Sequence, residues 1–249
     1  MRFLRIPALA LAGIVFASPV LADHHKSYDY GAEKGPANWG QLSDKYAVCE
    51  RGDMQSPIDL AGANAIGNIA LTVDYQSGPL TVSNKGLTIQ ADFSPGSSMT
   101  SGGMKFNLIQ IHFHTPSEHA ISGKRYPLTG HFVHATDDGK LGVLGVMFER
   151  GEANMELAKI LAAAPSSMSA PATVAGQTIN PGAMLPDDRA VYRYMGSLTT
   201  PPCSENVNWH VLREPISASA EQIAAFEKLM GDSARPVRAI NNRLVVAPE

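Results

Sequence analysis

The sequence lacks the features that mark several large classes of protein. Its net charge is only −3 over 249 residues and it has no block of basic residues, which argues against nucleic acid as a partner. Internal repeats and low-complexity linkers are absent. Beyond the first 22 residues, no apolar run is long enough to cross a bilayer, so no membrane association is expected for the rest of the chain.

The one long apolar run lies at the N-terminus. Arg2 and Arg5 precede "ALALAGIVFA", which leads to "SPVLA" with small residues before a cleavage point at Ala22. This order is typical of a secretory signal peptide, and the run is too short for a membrane anchor. We therefore predict that residues 1–22 are removed and that residues 23–249 form one domain. The periplasm is the predicted location, with full secretion as the alternative.

Cysteine is scarce and occurs only at Cys49 and Cys203. In an exported protein, two cysteines predict one disulfide rather than two free thiols. Such a bond would close a loop of about 154 residues, for which the chain-entropy model gives an upper estimate of roughly 5 kcal/mol. Neither cysteine has a ligand-type neighbour at short spacing, so cysteine is not expected to bind a metal.

Helical pattern is also sparse, whereas strand-like segments are frequent. Short turns rich in Gly, Pro, Asn and Asp separate the segments "IALTVDY", "LTVSNKGLTIQADF", "KFNLIQIHFHT", "GHFVHAT" and "LGVLGVMFE". Only "MELAKILAAA" and "SAEQIAAFEKLM" read as helices, and the second opens with Ser219 and Gln222 at capping-box spacing. The pattern predicts a mostly β fold, a single domain around a central, largely antiparallel twisted sheet with a few surface helices.

Histidines cluster in "QIHFHTPSEH", residues 110–119. In a strand, alternate side chains share a face, so we expect Leu108, Gln110, His112 and His114 on one side. Ile109, Ile111 and Phe113 would then lie on an apolar core face. Two histidines at i and i+2 can lean onto one metal ion.

A third ligand would come from "GHFVHAT" if the two strands pair as a hairpin. His131 and His134 are both candidates, because the register of the pairing is not visible in the sequence. Three His ligands leave an open position for water, which is the arrangement of a catalytic zinc. Surface histidines in an ordinary hairpin are the simpler alternative.

A second metal motif competes with this interpretation. "HFHTPSE" fits His-x-His-x3-Glu, which resembles the first metal motif of the cupins and would make Glu118 a ligand. The cupin pattern requires a Gly where this chain has Phe106, and its second motif is missing. The cupin interpretation is therefore disfavoured.

Five motifs in order resemble the α-class carbonic anhydrases of the exported bacterial type: "KGPANW", "QSPIDL", "QIHFHTPSEH", "GHFVH" and "YMGSLTTPPCSENVNWHV". The resemblance runs from about Tyr28 to Arg243. It implies a zinc enzyme that reversibly hydrates carbon dioxide to bicarbonate and a proton, with hydroxide on the metal as the nucleophile.

The resemblance assigns roles to individual positions. His112, His114 and His131 would bind Zn²⁺, which selects His131 over His134. Thr199 would accept a hydrogen bond from the nucleophile, and its own hydroxyl would donate a hydrogen bond to Glu118.

Supporting roles follow from the same resemblance. Gln110 would steady the first ligand histidine. Cys49 and Cys203 match a disulfide found in exported members. The residues around the substrate would be Val133, Val143, Leu198, Thr200, Val207 and Trp209.

Two positions depart from the family pattern. Leu87 stands where the family commonly has a histidine that carries protons to bulk water, so we expect turnover limited by proton transfer. Tyr30 matches an active-site tyrosine that could order water along this path. Thr129 stands where a glutamate usually accepts the N–H of the third ligand, so we expect weaker zinc retention.

The alternative to an enzyme is a carbonic-anhydrase-like binding module with little catalysis. All three histidines, Thr199 and Glu118 are present, which favours the enzyme. The sequence leaves open whether the chain is a monomer or a homodimer.

Overall fold

The computed structural model describes residues 28–249. The predicted signal peptide, residues 1–22, lies outside the described residues. No helix in the described part of the chain is long and apolar enough to cross a bilayer.

Strands dominate residues 28–249, as the sequence pattern predicts. They are β1 (Ala65–Ile66), β2 (Leu71–Asp74), β3 (Gly78–Asn84), β4 (Ile89–Asp92), β5 (Ser98–Ser101), β6 (Met104–His114), β7 (Leu128–Ala135), β8 (Leu141–Arg150), β9 (Ala172–Ile179), β10 (Val191–Ser197), β11 (Glu205–Leu212), β12 (Ile216–Ala218) and β13 (Val245–Ala247). The helices are α1 (Trp39–Leu42), α2 (Val48–Arg51), α3 (Met155–Ala163) and α4 (Ala220–Met230), with short 3₁₀ turns at Asp44–Tyr46, Leu60–Gly62 and Pro181–Met184.

All thirteen strands join one twisted sheet. Its main path runs β1-β13-β10-β11-β8-β7-β6-β4-β3-β9, with β12 beside β8 and with β5 joining β2 to β6. Most neighbours are antiparallel, whereas β8 pairs in parallel with β11 and β12, and β1 with β13. The predicted, largely antiparallel sheet is confirmed, and β6, β7, β8 and β11 lie at its centre.

The two longest helices cover one face of the sheet. In α4, Ile223, Phe226 and Met230 are buried at helical spacing and join the larger apolar cluster. The predicted capping box is present, because Ser219 Oγ accepts from the Gln222 N–H and Gln222 Oε1 accepts from the Ser219 N–H. The same cluster takes Leu157 and Ile160 from α3.

A β-bulge in β6 corrects the predicted assignment of faces. The pairing with β7 shifts between Leu108 and Gln110, so the alternation of side chains changes phase there. Leu108 is buried in the core with Ile111 and Phe113, whereas Ile109 is 44% exposed. The prediction was wrong for Leu108 and Ile109, because a strict period of two cannot foresee an inserted residue. Beyond the bulge, the predicted alternation holds for residues 110–114.

The second face of the central strands carries a smaller apolar cluster and the histidines. This cluster contains Val143 and Met147 of β8 and Val207, Trp209 and Val211 of β11. The predicted disulfide between Cys49 and Cys203 is confirmed, with an S–S distance of 2.06 Å. It joins the N-terminal turns to the loop between β10 and β11.

Candidate metal centre

Pairing of β6 with β7 brings three histidines together. His112 and His114 are two residues apart on β6, and His131 of β7 lies directly opposite His112. One nitrogen from each imidazole lies within 4.8 Å of the others, so together they could hold one metal ion. His134 points to the opposite face, where its Nε2 lies 2.8 Å from the hydroxyl of Tyr75. The register therefore groups His131, and not His134, with the β6 pair.

The two β6 histidines have partners that fix their rings. Nδ1 of His112 lies 2.9 Å from Oε1 of Gln110, and Nδ1 of His114 lies 2.6 Å from the carbonyl oxygen of Ser233. An Nδ1–H donated to each oxygen leaves both Nε2 atoms as acceptors. Nε2 of His114 is buried without a hydrogen-bond partner among residues 28–249. This orphaned lone pair, in a set of three imidazoles, fits a borderline metal such as zinc.

The third histidine is held differently. Nδ1 of His131 lies 3.7 Å from Oε2 of Glu118, whereas its Nε2 is buried and has no partner in the described chain. Thr129 does not supply one, and its hydroxyl instead donates to the carbonyl oxygen of Val146 at 3.0 Å. The ring instead packs against Trp209, with 4.9 Å between ring centroids.

Burial keeps the imidazoles of His112 and His131 neutral. Burial and the nearby His114 lower the pKa of His112 to about 3. Burial, together with the neighbouring histidines, lowers the pKa of His131 well below its ordinary value. A metal ligand must be the unprotonated imidazole, so both side chains are in the binding-competent state at neutral pH.

Glu118 lies behind the histidines and is fully buried. Its Oε1 accepts a hydrogen bond of 3.0 Å from the main-chain N–H of Arg235. Its Oε2 is 3.6 Å from Nε2 of His114 and accepts no hydrogen bond within residues 28–249. The bond from Thr199 that the resemblance predicts is therefore not made in this geometry, although Thr199 is also buried.

A cavity of about 230 Å³ opens over the β6 histidines. Leu87, Tyr30, Gln110 and Thr200 share its lining, so the position where the resemblance predicts a proton-carrying histidine lies on the cavity wall. The complete lining is Tyr28, Tyr30, Lys85, Leu87, Thr88, Gln90, Gln110, His112, His114 and Thr200. Burial raises the pKa of Tyr30, so its phenol stays protonated at neutral pH.

The predicted substrate wall forms one apolar cluster. Val143, Val207 and Trp209 are buried in it, and Val133 and Leu198 pack against it. Val133 follows His131 by two residues on β7 and lies opposite Val143, so the wall shares the face of the histidines.

Two residues that hold the site in place, Ser233 and Arg235, were not predicted from the sequence. Both lie just after α4, more than a hundred residues from the groups they contact, and both act through main-chain atoms. Main-chain donors and acceptors are the same at every residue, so no residue type in the sequence signals them.

A large twisted sheet with three converging imidazoles under an open cavity defines a metalloenzyme-type site. The family model for eukaryotic-type carbonic anhydrase matches residues 34–248. A carbonic anhydrase of Pectobacterium carotovorum is 38% identical over 237 residues, covering 95% of this chain and 96% of its own.

Solved structures agree with this match. The α-carbonic anhydrase of Photobacterium profundum is 42% identical, with a TM-score of 0.82 over 88% of this chain and 100% of its own. A hyperthermostable carbonic anhydrase from an active hydrothermal vent chimney is also 42% identical, with a TM-score of 0.86 over 90% of this chain and 100% of its own. The chain belongs to the eukaryotic-type, or α-class, carbonic anhydrase family, and it is an enzyme of that family.

Proposed function

We propose that the protein reversibly hydrates carbon dioxide to bicarbonate and a proton, with Zn²⁺ held by His112, His114 and His131. The observation that carries this proposal is the convergence of three imidazole nitrogens within 4.8 Å of one another, under a cavity and beside an apolar wall. When bound, zinc would supply a nucleophile at neutral pH, since it lowers the pKa of water to about 7. Membership of the carbonic anhydrase family supports the reaction and does not favour a binding module without catalysis.

The apolar wall suits a small, linear, uncharged substrate. Val133, Val143, Leu198, Val207 and Trp209 offer no hydrogen-bond donors toward carbon dioxide apart from the indole N–H. That N–H is already donated to the carbonyl oxygen of Ser197 at 2.9 Å. Binding is therefore by fit and weak contacts, and charged bicarbonate gains nothing from the wall, which favours its departure.

Thr199 and Glu118 are proposed to orient the nucleophile. Oε1 of Glu118 is already used by Arg235 N–H, which leaves Oε2 as the acceptor for a hydroxyl proton. A Thr199 hydroxyl committed as a donor to Glu118 can only accept in its other contacts, which selects one orientation of the attacking oxygen. Thr200, on the cavity lining, is proposed to contact departing bicarbonate.

Proton removal is proposed to limit turnover. Leu87 cannot titrate. Besides His112 and His114, the titratable side chains of the lining are Tyr28, Tyr30 and Lys85. None of the first three has an ordinary pKa near neutrality. Small buffer molecules would then accept the proton directly.

The Leu87→His variant tests this proton path. We expect kcat in dilute buffer to rise toward the value that wild type reaches only in concentrated buffer, because imidazole titrates near pH 6.5. Leu87→Asn serves as the matched control, since it adds polarity without a titrating group. Equal rates for Leu87→His and wild type in dilute buffer would contradict the assignment.

Stopped-flow hydration of carbon dioxide tests the function itself. Chelator-stripped protein, the same protein reloaded with zinc, and a His112→Ala variant are compared over a range of buffer concentrations. We expect catalysis only in the reloaded wild type, with a rate that rises with buffer. Zinc-loaded protein without catalysis would favour the binding module.

We also propose export to the periplasm with cleavage after residue 22, leaving residues 23–249 as the catalytic domain. The Cys49–Cys203 disulfide supports this, since such bonds persist in oxidising compartments. N-terminal sequencing of protein from a periplasmic extract tests it, and a mature chain that begins at Met1 would contradict it.

A further inference from the structure

Arg235 is a fully buried cation that bridges separate parts of the chain. Its side chain is 1% exposed and lies over the ring of Trp39. Nη1 donates to the carbonyl oxygen of Ser56 and Nη2 donates to that of Cys49, each at 2.8 Å. Burial lowers the pKa of Arg235 to about 10, so it keeps its charge at neutral pH. Both bonds are charge-assisted and therefore stronger than neutral ones.

The main chain of the same residue holds the candidate site. Arg235 N–H donates to Oε1 of Glu118 at 3.0 Å, and the carbonyl oxygen of Ser233 lies 2.6 Å from Nδ1 of His114. Two residues of one short segment thus fix a proposed ligand and a proposed catalytic carboxylate.

The disulfide extends this connection to the loop that carries Thr199. Cys49, whose carbonyl oxygen binds the guanidinium, is bonded to Cys203. The Cys203 N–H donates to the carbonyl oxygen of Thr200 at 2.9 Å, and the Leu198 N–H donates to that of Ser204 at 2.9 Å. Thr199 lies between these two bonds. A continuous path therefore runs from Glu118 through Arg235 and Cys49–Cys203 to the Thr199 loop.

We propose that Arg235 is a positioning residue that fixes Glu118 and His114 relative to the Thr199 loop by anchoring them to the Cys49–Cys203 disulfide. The proposal rests on the proposed function for the roles of Glu118 and Thr199. Without the guanidinium, two buried carbonyls lose charged donors, and the segment that carries Ser233 O and Arg235 N–H loses its anchor. Orientation at the site requires a precision that this segment could no longer supply.

Arg235→Lys is the first test, because lysine keeps the charge but lacks the planar fork that reaches two carbonyls. Arg243→Lys is the matched control. Arg243 is also buried, donates to the carbonyls of Ile240, Met195 and Ala239, and lies over the ring of Tyr194, but it makes no bond to Glu118.

In concentrated buffer, where proton removal no longer limits turnover, we expect Arg235→Lys to lower kcat by about 10–100-fold with little change in KM, the usual range for loss of outer support at a metal site. Zinc release to a chelator should accelerate, and the visible spectrum of the Co²⁺-substituted protein should shift. Arg243→Lys should leave all three readouts near wild type. Equal changes in the two variants would overturn the proposal, since they would reflect general loss of stability.

A double-mutant cycle tests the path through the disulfide. Cys49→Ser/Cys203→Ser should reproduce the loss of kcat and the faster zinc release, and adding Arg235→Lys should then cost little more. If the fold-changes of Arg235→Lys and of the double cysteine variant multiply when the substitutions are combined, the proposal is overturned. If Arg235→Lys fails to fold, the cysteine variant alone decides: kcat and zinc release that match wild type would overturn it.

The zinc-release arm separates this proposal from the proposed function. Zinc-loaded wild type without carbon dioxide hydration would overturn the function. Faster zinc release in Arg235→Lys than in Arg243→Lys would still support the positioning role through Ser233 and His114.

Discussion

The two histidines of β6 and His131 of β7 differ in what holds their outer nitrogens, the ring nitrogens that face away from the candidate metal. Gln110 and Ser233 each place an oxygen within 3 Å of an Nδ1 on β6, at 2.9 and 2.6 Å. On β7, Nε2 of His131 is buried without a partner among the described residues. Two proposed ligands are thus oriented by hydrogen bonds and the third by packing against Trp209. The difference teaches that three imidazoles can converge on one candidate metal position while different contacts hold each ring.

The largest effect is expected when a ligand itself is removed. His114→Ala should reduce zinc affinity by more than the roughly 100-fold upper range for losses of supporting groups, because a metal–nitrogen bond disappears. Metal content after dialysis measures this. His134→Gln, on the opposite face of β7, is the control and should retain one zinc per chain.

Removing support from β6 should make its first histidine resemble His131. Gln110→Ala leaves Nδ1 of His112 without its acceptor, so zinc release to a chelator should accelerate by about 10–100-fold. Gln90→Ala is the matched control, since Gln90 lines the same cavity but its amide donates to Asp92 and hydrogen-bonds to no histidine ring nitrogen within residues 28–249. If both variants release zinc at the wild-type rate, Gln110 has no supporting role.

Adding a hydrogen-bond acceptor for His131 of β7 should reduce the difference between this histidine and the two of β6. Thr129→Glu would offer a carboxylate to Nε2 of His131 and should slow zinc release by about tenfold, the low end of that range, because a buried carboxylate costs desolvation. Thr129→Gln controls for side-chain size without charge. Faster zinc loss in Thr129→Glu than in Thr129→Gln would contradict our account of this position.

The smallest effect near neutral pH is expected from His210 and His134, two buried histidines outside the candidate metal centre. Their contribution is to the pH dependence of the free energy of unfolding. Burial lowers the pKa of His210 to about 4 and that of His134 to about 3. Because the folded pKa lies below the unfolded value of about 6.5, the unfolded chain binds more protons. The free energy of unfolding should therefore fall as pH drops from about 6.5 toward 4.

Urea unfolding of wild type and His210→Asn measures this contribution. Between pH 7 and 4.5, the wild type should lose on the order of 2–3 kcal/mol more than the variant, since the variant has no imidazole to protonate there. Parallel losses in the two proteins would show that His210 does not drive acid unfolding.

Much of the fold was readable from periodicity. The strands β2 and β4 and the helices α3 and α4 fall within the predicted segments, because alternating or helical apolar patterns direct burial. The strands β3, β6, β7 and β8 overlap their predicted segments and extend one or two residues beyond them. The short strands β1, β12 and β13 have too few residues to show a period. The bulge at Leu108–Gln110 was also invisible, since an inserted residue leaves no mark in composition.

The residue types of the candidate site were predicted, and so was the side chain of Gln110 beside His112, but the main-chain groups that support the site were not. His112, His114 and the disulfide cysteines carry side-chain chemistry that a sequence displays. The choice of His131 over His134 required the register of β6 with β7, which the residues alone left open. Ser233 O and Arg235 N–H were missed because distant main-chain atoms become partners only once the chain has folded.

X-ray diffraction of zinc-loaded crystals at the zinc absorption edge tests the central claim most directly. The account predicts one anomalous peak bonded to one nitrogen each of His112, His114 and His131, with Glu118 unbound to the metal. A peak bonded to Glu118, or a peak elsewhere with the three histidines empty, would contradict it.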